Sequence, residues 1–132
     1  MSLFEWDPNE YSVKVQAMDN EHQVLIQKMN ALFDAHQRGA DFAQLKHLLS
    51  DLGKYTVKHF EDEEAFMEKI GFDGLKTHKV VHKQLVEKFT NHAEEFEKTQ
   101  ELTDDFFNFL KFWLRSHIKG IDKKYGEVAN AA

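Results

Sequence analysis

The stretch VKHFEDEEAFM, residues 57–67, sets four acidic side chains behind His59 and then returns to apolar residues. On a helix, at about 100° per residue, Glu63 projects only about 40° from His59. Glu61 and Glu64 project about 160° and 140° away, toward solvent, and Asp62, about 60° off on the other flank, is the competitor for the inward place. Four more histidines stand on apolar stripes. His22 precedes Leu25, Ile26 and Met29 by helical spacing, His78 and His82 are separated by four residues ahead of Leu85 and Phe89, and His117 follows Trp113 and Leu114. A lone histidine in such a place is ordinarily a hydrogen-bonded core residue. Five of them converging with a carboxylate on one level is a different case. Uncompensated burial would cost several kcal/mol for each group, roughly, and a bound metal is the simplest acceptor of so many lone pairs.

Convergence requires elements that bring these positions together, and the apolar spacing supplies them. A first long helix is expected from about Asp19, as its N-cap, to about Arg38, with Gly39 ending it. A second begins after Asp41, carries Phe42, Leu45, Leu48, Leu49, Leu52 and Tyr55, and stops at Gly71. A third runs from near Asp73 through Leu75, Val81, Leu85, Phe89 and Phe96. A fourth starts at Thr103, with Asp104 and Asp105 in the first turn, where the helix dipole favours them. A shorter helix follows Gly120, and the first eighteen residues, with Trp6, Tyr11, Val13 and Val15, read as an extended arm packed over the rest. The expected fold is therefore all-α: an up-down-up-down four-helix bundle formed by one domain over residues 1–132. In that topology His22, His59, Glu63, His78, His82 and His117 all lie within about 16 Å of one end plane. His36 falls at the opposite end, His47 is off its stripe and His92 flanks its own, so these three are read as structural or solvated. Asp122 lies five residues after His117, about 140° away on a regular helix. It can join the cluster only if the helix loosens or turns near Gly120.

Composition narrows the chemistry. The chain has 132 residues, eight histidines, no cysteine and a formal net charge of −6. Without cysteine, disulfides, thiolate zinc sites and iron–sulfur clusters are excluded. The acidic balance, with no basic stripe, argues against nucleic acid and against anionic membrane surfaces. No apolar run is long enough to span a bilayer, the N-terminus lacks a signal pattern and cysteine is absent, so a cytoplasmic protein is expected; the well-charged outer faces of the helices point to a monomer.

Taken in order, His22, then His59-Phe-Glu-Asp-Glu63, then His78-Lys-Val-Val-His82, then His117-Ile-Lys-Gly-Ile-Asp122 resembles the hemerythrin family, in particular its single-domain bacterial members. Trp6 and the Asp19-Asn-Glu-His22 segment add to the likeness, which covers essentially the whole chain. The resemblance implies two non-haem irons (Fe2+/Fe3+) joined by an oxo or hydroxo bridge. His78, His82 and His117 would hold one iron, His22 and His59 the other, and Glu63 and Asp122 would bridge them. Such a ligand set leaves a single free position, on the iron with two histidines. The implied function is reversible dioxygen binding by a carrier or store that is not an enzyme, handing oxygen to an unidentified oxygen-consuming enzyme. Trp113, Leu114, Ile118 and Phe60 would wall the oxygen pocket, though each is equally suited to plain core packing. The alternatives are an oxygen or redox sensor module, a di-iron enzyme consuming peroxide or nitric oxide, and an iron-handling protein. Zinc also accepts histidine and carboxylate, but seven ligands for two metals exceed its usual four-coordinate preference.

Overall fold

The computed structural model describes residues 3–131, with the backbone alone described at Glu10 and at 119–121. A single turn, α1 (Pro8–Tyr11), is followed by four long segments: α2 (Gln16–Gln37), α3 (Phe42–Lys69), α4 (Leu75–Thr99) and α5 (Asp104–Trp113). From α5 the chain continues without a break through a π-helical segment, Leu114–Asp122, into α6 (Lys123–Ala129). Connections of a few residues join the long helices, so neighbours run antiparallel and form an up-down-up-down bundle. None of the described helices is long and apolar enough to cross a membrane.

The helix ends follow local chemistry. The Asp41 side chain accepts from the Gln44 N–H at the start of α3, and the Thr103 side chain accepts from the Phe106 N–H at the start of α5, each satisfying an otherwise unpaired helix donor. Gly39 and Gly71, with φ of 76° and 66°, take the left-handed turn after α2 and α3, where a side chain would be strained. One boundary differs from the sequence expectation. The first long helix starts at Gln16, not Asp19, and its cap residue Val15 makes no side-chain bond. Asp19 is engaged elsewhere: its carboxylate accepts from the Val13 N–H at 2.8 Å and the Ser12 hydroxyl at 2.7 Å. It anchors the arm instead of capping the helix.

The arm is only partly extended, since α1 interrupts it. It lies on the bundle through buried Phe4, Tyr11 and Val13. Asn30 of α2 grips the Phe4 backbone at both its N–H and its C=O, each at 2.8 Å. At the other end of the arm α6 is pressed close: a Cβ on Gly126 would fall 1.9 Å from the Val13 carbonyl oxygen. Glycine is the residue that permits this approach. Inside α3, Gly53 faces the Phe89 ring of α4, where a Cβ would come within 2.9 Å, so this glycine allows a close contact between the two helices. Met29, Leu32, Leu52, Leu110 and Leu114 are fully buried along the bundle axis. Toward one end the axis changes from aliphatic to polar.

Candidate metal centre

That polar end holds His22, His59, Glu63, His78, His82, His117 and Asp122, each no more than 2 % exposed. His22 comes from the first turns of α2, His59 and Glu63 from the last third of α3, His78 and His82 from the start of α4, and His117 and Asp122 from the π-helical segment. The antiparallel order brings these four segments, with their seven side chains, to one level. Glu63 is the inward carboxylate of its acidic run; Asp62 is half-buried and pairs with Lys58 at 2.9 Å.

Asp122 reaches the cluster through a change of helix type. The loosening is not a local break at Gly120 but extends over nine residues, Leu114–Asp122. A π-helix bonds i to i+5, so residues five apart stack on one face, which an α-helix forbids. His117 Nε2 and Asp122 Oδ1 accordingly lie 3.0 Å apart.

The two carboxylates split their oxygens between two sets of imidazoles. Glu63 Oε1 lies 3.0 Å from His82 Nε2, 3.5 Å from His117 Nε2 and 3.9 Å from His78 Nε2. Asp122 Oδ1 lies 2.7 Å from His78 Nε2 and 3.0 Å from His117 Nε2. On the other side, Glu63 Oε2 lies 3.0 Å from His22 Nε2 and 3.3 Å from His59 Nε2, and Asp122 Oδ2 lies 3.0 Å from His22 Nε2. Two donor groups result, one of three histidines and one of two, both sharing Glu63 and Asp122, with ligand atoms inside each within 4.8 Å of one another.

Hydrogen bonding alone does not account for this packing. His59 Nε2 and Asp122 Oδ2 are buried with no hydrogen-bond partner among the described residues, although both stand within ion-pair distance of a neighbour. His82 Nε2 and His117 Nε2 approach to 3.0 Å. Nitrogens crowded in this way, aimed at a common point and not along N–H···O lines, fit a bound cation. All five rings turn Nε2 inward, as imidazole donors to a metal pair would.

Without metal, the cluster is held by ion pairs. Burial opposes charge on His22 and His117 more than any other single cause, but the hydrogen bonds and charges of Asp122 and Glu63 together outweigh it and raise both to about 9. For His59, burial is likewise overcome by the Glu63 charge and the Glu21 hydrogen bond, and its value is raised. Burial and the neighbouring Glu63 charge push against ionisation of Asp122, yet His117 and His22 hold it down at about 2. Burial also opposes the Glu63 charge, but the His59 charge and the His117 and His22 hydrogen bonds keep it well below the usual carboxylate range.

Three contributors to the site are absent from the sequence expectation. Glu21 lies 2.7 Å from His59 Nδ1, and Glu64 lies 2.9 Å from His82 Nδ1. Glu64, expected in solvent, is turned by the neighbouring helix α4 into contact with the cluster and is only 27 % exposed. Tyr125 of α6 donates its hydroxyl to Glu63 Oε2 at 2.8 Å, and burial followed by the Glu63 and Asp122 charges keeps that phenol protonated far above the ordinary range. Adjacent carboxylates at 63 and 64, and a tyrosine three residues after Asp122, were the available signals.

A carboxylate on the outer nitrogen fixes an imidazole's tautomer and raises its basicity as a ligand. Replacing Glu21 by alanine should therefore weaken metal on the two-histidine side by about 10–100-fold, while the three-histidine side is unchanged. Equilibrium competition with a chromophoric chelator reads both.

The apolar surroundings are dense. Phe60 stacks on His82 with centroids 3.9 Å apart and meets the Trp113 edge at 5.7 Å. Trp113, Leu114 and Ile118 are buried. His36 and His92 instead pack on Phe107 and Phe109, and His47 is exposed.

Residues 13–129 match the family model described as "Hemerythrin HHE cation binding domain". A bacteriohemerythrin of Methylococcus capsulatus is 30 % identical over 99 % of this chain and 100 % of its own length. A myohemerythrin of Riftia pachyptila is 37 % identical over 94 % and 92 %. The crystal structure of a wild-type hemerythrin superposes with a TM-score of 0.88 at 30 % identity, covering 96 % of this chain and 98 % of that one.

Proposed function

Because this chain belongs to the hemerythrin family, we propose that it binds dioxygen reversibly at two non-haem irons, as an oxygen carrier or store. His78, His82 and His117 would hold one iron, His22 and His59 the other, and Glu63 and Asp122 would bridge the pair together with an oxo or hydroxo group. The observation that carries this is the division of the carboxylate oxygens: Glu63 turns one oxygen to His78, His82 and His117 and the other to His22 and His59, and Asp122 turns one to His78 and His117 and the other to His22. The unequal split leaves the two-histidine side one protein ligand short, which is where a small ligand would enter. A ferrous pair supplies the two reducing equivalents that reversible dioxygen binding draws on and recovers.

The chain's own part is to bind, orient and exclude. Five neutral imidazoles against two carboxylates stabilise high iron oxidation states less than a carboxylate-rich set does, which favours release over oxidation. Burial of all seven side chains favours a small neutral molecule over hydrated ions, since charged species lose their solvation on entry. Leu114, Trp113, Ile118 and Phe60 would form the apolar wall that keeps water and protons from the bound ligand. The test is oxygen uptake by anaerobically reduced, iron-loaded protein: one dioxygen per two irons, recovered on evacuation. Uptake without recovery would point to an oxidising enzyme instead. Leu114→Ala, which removes a fully buried part of that wall, is expected to raise the autoxidation rate about tenfold, equivalent to about 1.4 kcal/mol off the barrier. Stopped-flow or slow visible kinetics would check it; an unchanged rate would remove Leu114 from the pocket.

A further inference from the structure

We propose that Tyr125 is a positioning residue that weakens the hold of Glu63 on the two-histidine metal and thereby sets how readily that metal exchanges. This rests on the two-metal reading above. The Tyr125 hydroxyl donates to Glu63 Oε2 at 2.8 Å, the oxygen that faces His22 and His59. Among the described residues no other hydroxyl or ammonium group bonds to either carboxylate of the cluster. The two bridging carboxylates are both fully buried, and among the described residues a hydroxyl polarises Glu63 but not Asp122.

A donor to a carboxylate makes a charge-assisted bond and draws negative charge toward itself. The oxygen that receives it commits a lone pair to the hydroxyl and becomes the poorer metal ligand, while Oε1, on the three-histidine side, is weakened less. The same bond stabilises the free Glu63 carboxylate once metal has left. Both effects favour release, and both fall chiefly on the side that Oε2 faces. Glu21 acts on that side in the opposite sense, since it makes His59 the better ligand.

The hydroxyl cannot easily turn away. Tyr125 is fully buried, its ring meets Phe66 edge-on at 5.7 Å and lies 5.9 Å from the His78 ring. Gly126, the next residue, is pressed on the Val13 carbonyl, which fixes the middle of α6 against the arm. Asp122 and Tyr125 stand on one continuous piece of chain, so the segment that delivers one bridging carboxylate also polarises the other.

Tyr125→Phe removes the O–H and keeps the ring. The protein is loaded anaerobically with isotopically enriched ferrous iron, release to a chromophoric ferrous chelator is followed in time, and Mössbauer spectra are recorded before release. The expected result is two irons per chain in both proteins, with the faster of two release phases slowed about tenfold in the variant, the scale of a hydrogen bond to a charged group. The slower phase should change less than about twofold, and one of the two iron signals should shift while the other stays. Any other pattern overturns the proposal: both phases changed alike, which a loss of packing would give, acceleration of the faster phase, or no change. Two irons on the wild-type chain with one of those patterns sinks the proposal alone. Fewer than two irons on the wild-type chain sinks the two-metal reading as well.

Discussion

Glu63→Ala is expected to leave the protein with no more than one metal per chain and to destabilise the metal-free fold at the same time. Among the described residues, Glu63 is the one side chain within 4 Å of all five inward imidazoles, at 3.0 to 3.9 Å. It is fully buried and also accepts the Tyr125 hydroxyl. Its removal deletes a donor from both metal-binding groups and strips the acceptor from protonated histidines that cannot reach water. Breaking a buried charged pair from one side costs about 3–5 kcal/mol. For a chain of this size that lowers the melting temperature by roughly 10 °C or more. Metal content by plasma emission and thermal melts of chelator-treated protein would check the two parts separately. Two metals per variant chain would show that Glu63 is no bridge.

The second large effect is that of metal removal, and it depends on pH. In the metal-free form His22 and His117, raised to about 9, carry charge that Glu63 and Asp122 compensate. A histidine whose folded value exceeds its unfolded value of about 6.5 stabilises fully below that unfolded value and loses the contribution as pH rises through about 9. The depressed carboxylates behave oppositely: Asp122, at about 2, contributes above its unfolded value of about 4, and the contribution is lost as pH falls through about 2. Metal-free protein should therefore be most stable between about pH 4 and 6.5 and weaken steadily toward pH 9. Metal reverses the trend, because a ligating imidazole must be neutral. Loading near pH 7 should displace about two protons from His22 and His117, and affinity should rise with pH until about 9. With free metal at about a thousand times its dissociation constant, each site adds roughly 4 kcal/mol, so the loaded protein should melt at least about 10 °C higher. That gap should widen from pH 6.5 to 9. Melting curves across that range check it, and a metal-free melting temperature that stays level between pH 6.5 and 9 would show that these imidazoles are not held charged.

The sequence discloses the bundle because each long helix carries a continuous apolar stripe with a physical stop after it. It discloses Glu63 over Glu61 because one helix's own periodicity decides which way a side chain points. Both inferences stay inside a single element. Glu64 shows where such inference ends: periodicity sends it away from His59, and it does point away, but α4 lies on that flank and presents His82. Glu21 likewise meets a histidine of another helix. Neither contact can be read from spacing along one chain segment. Asp122 was the hardest of the ligand candidates, since the α-helical angle excludes it; only the family resemblance and the flanking Gly120 pointed to it, and the wide π-helical turn is what removes the conflict. Asp19 shows the converse error. It has the side chain of a helix cap, but the arm's backbone offers it two donors that the helix start does not.

The central claim, reversible dioxygen binding, is tested most directly by visible absorption of the anaerobically reduced, iron-loaded protein, recorded before oxygen, in oxygen and after purging. A featureless spectrum that gains a visible band in oxygen and loses it on purging, over repeated cycles, is the predicted result. A band that forms and decays to a ferric spectrum that purging does not change would contradict carriage and indicate oxidation at the site, and no band at any stage would contradict the iron-pair assignment itself.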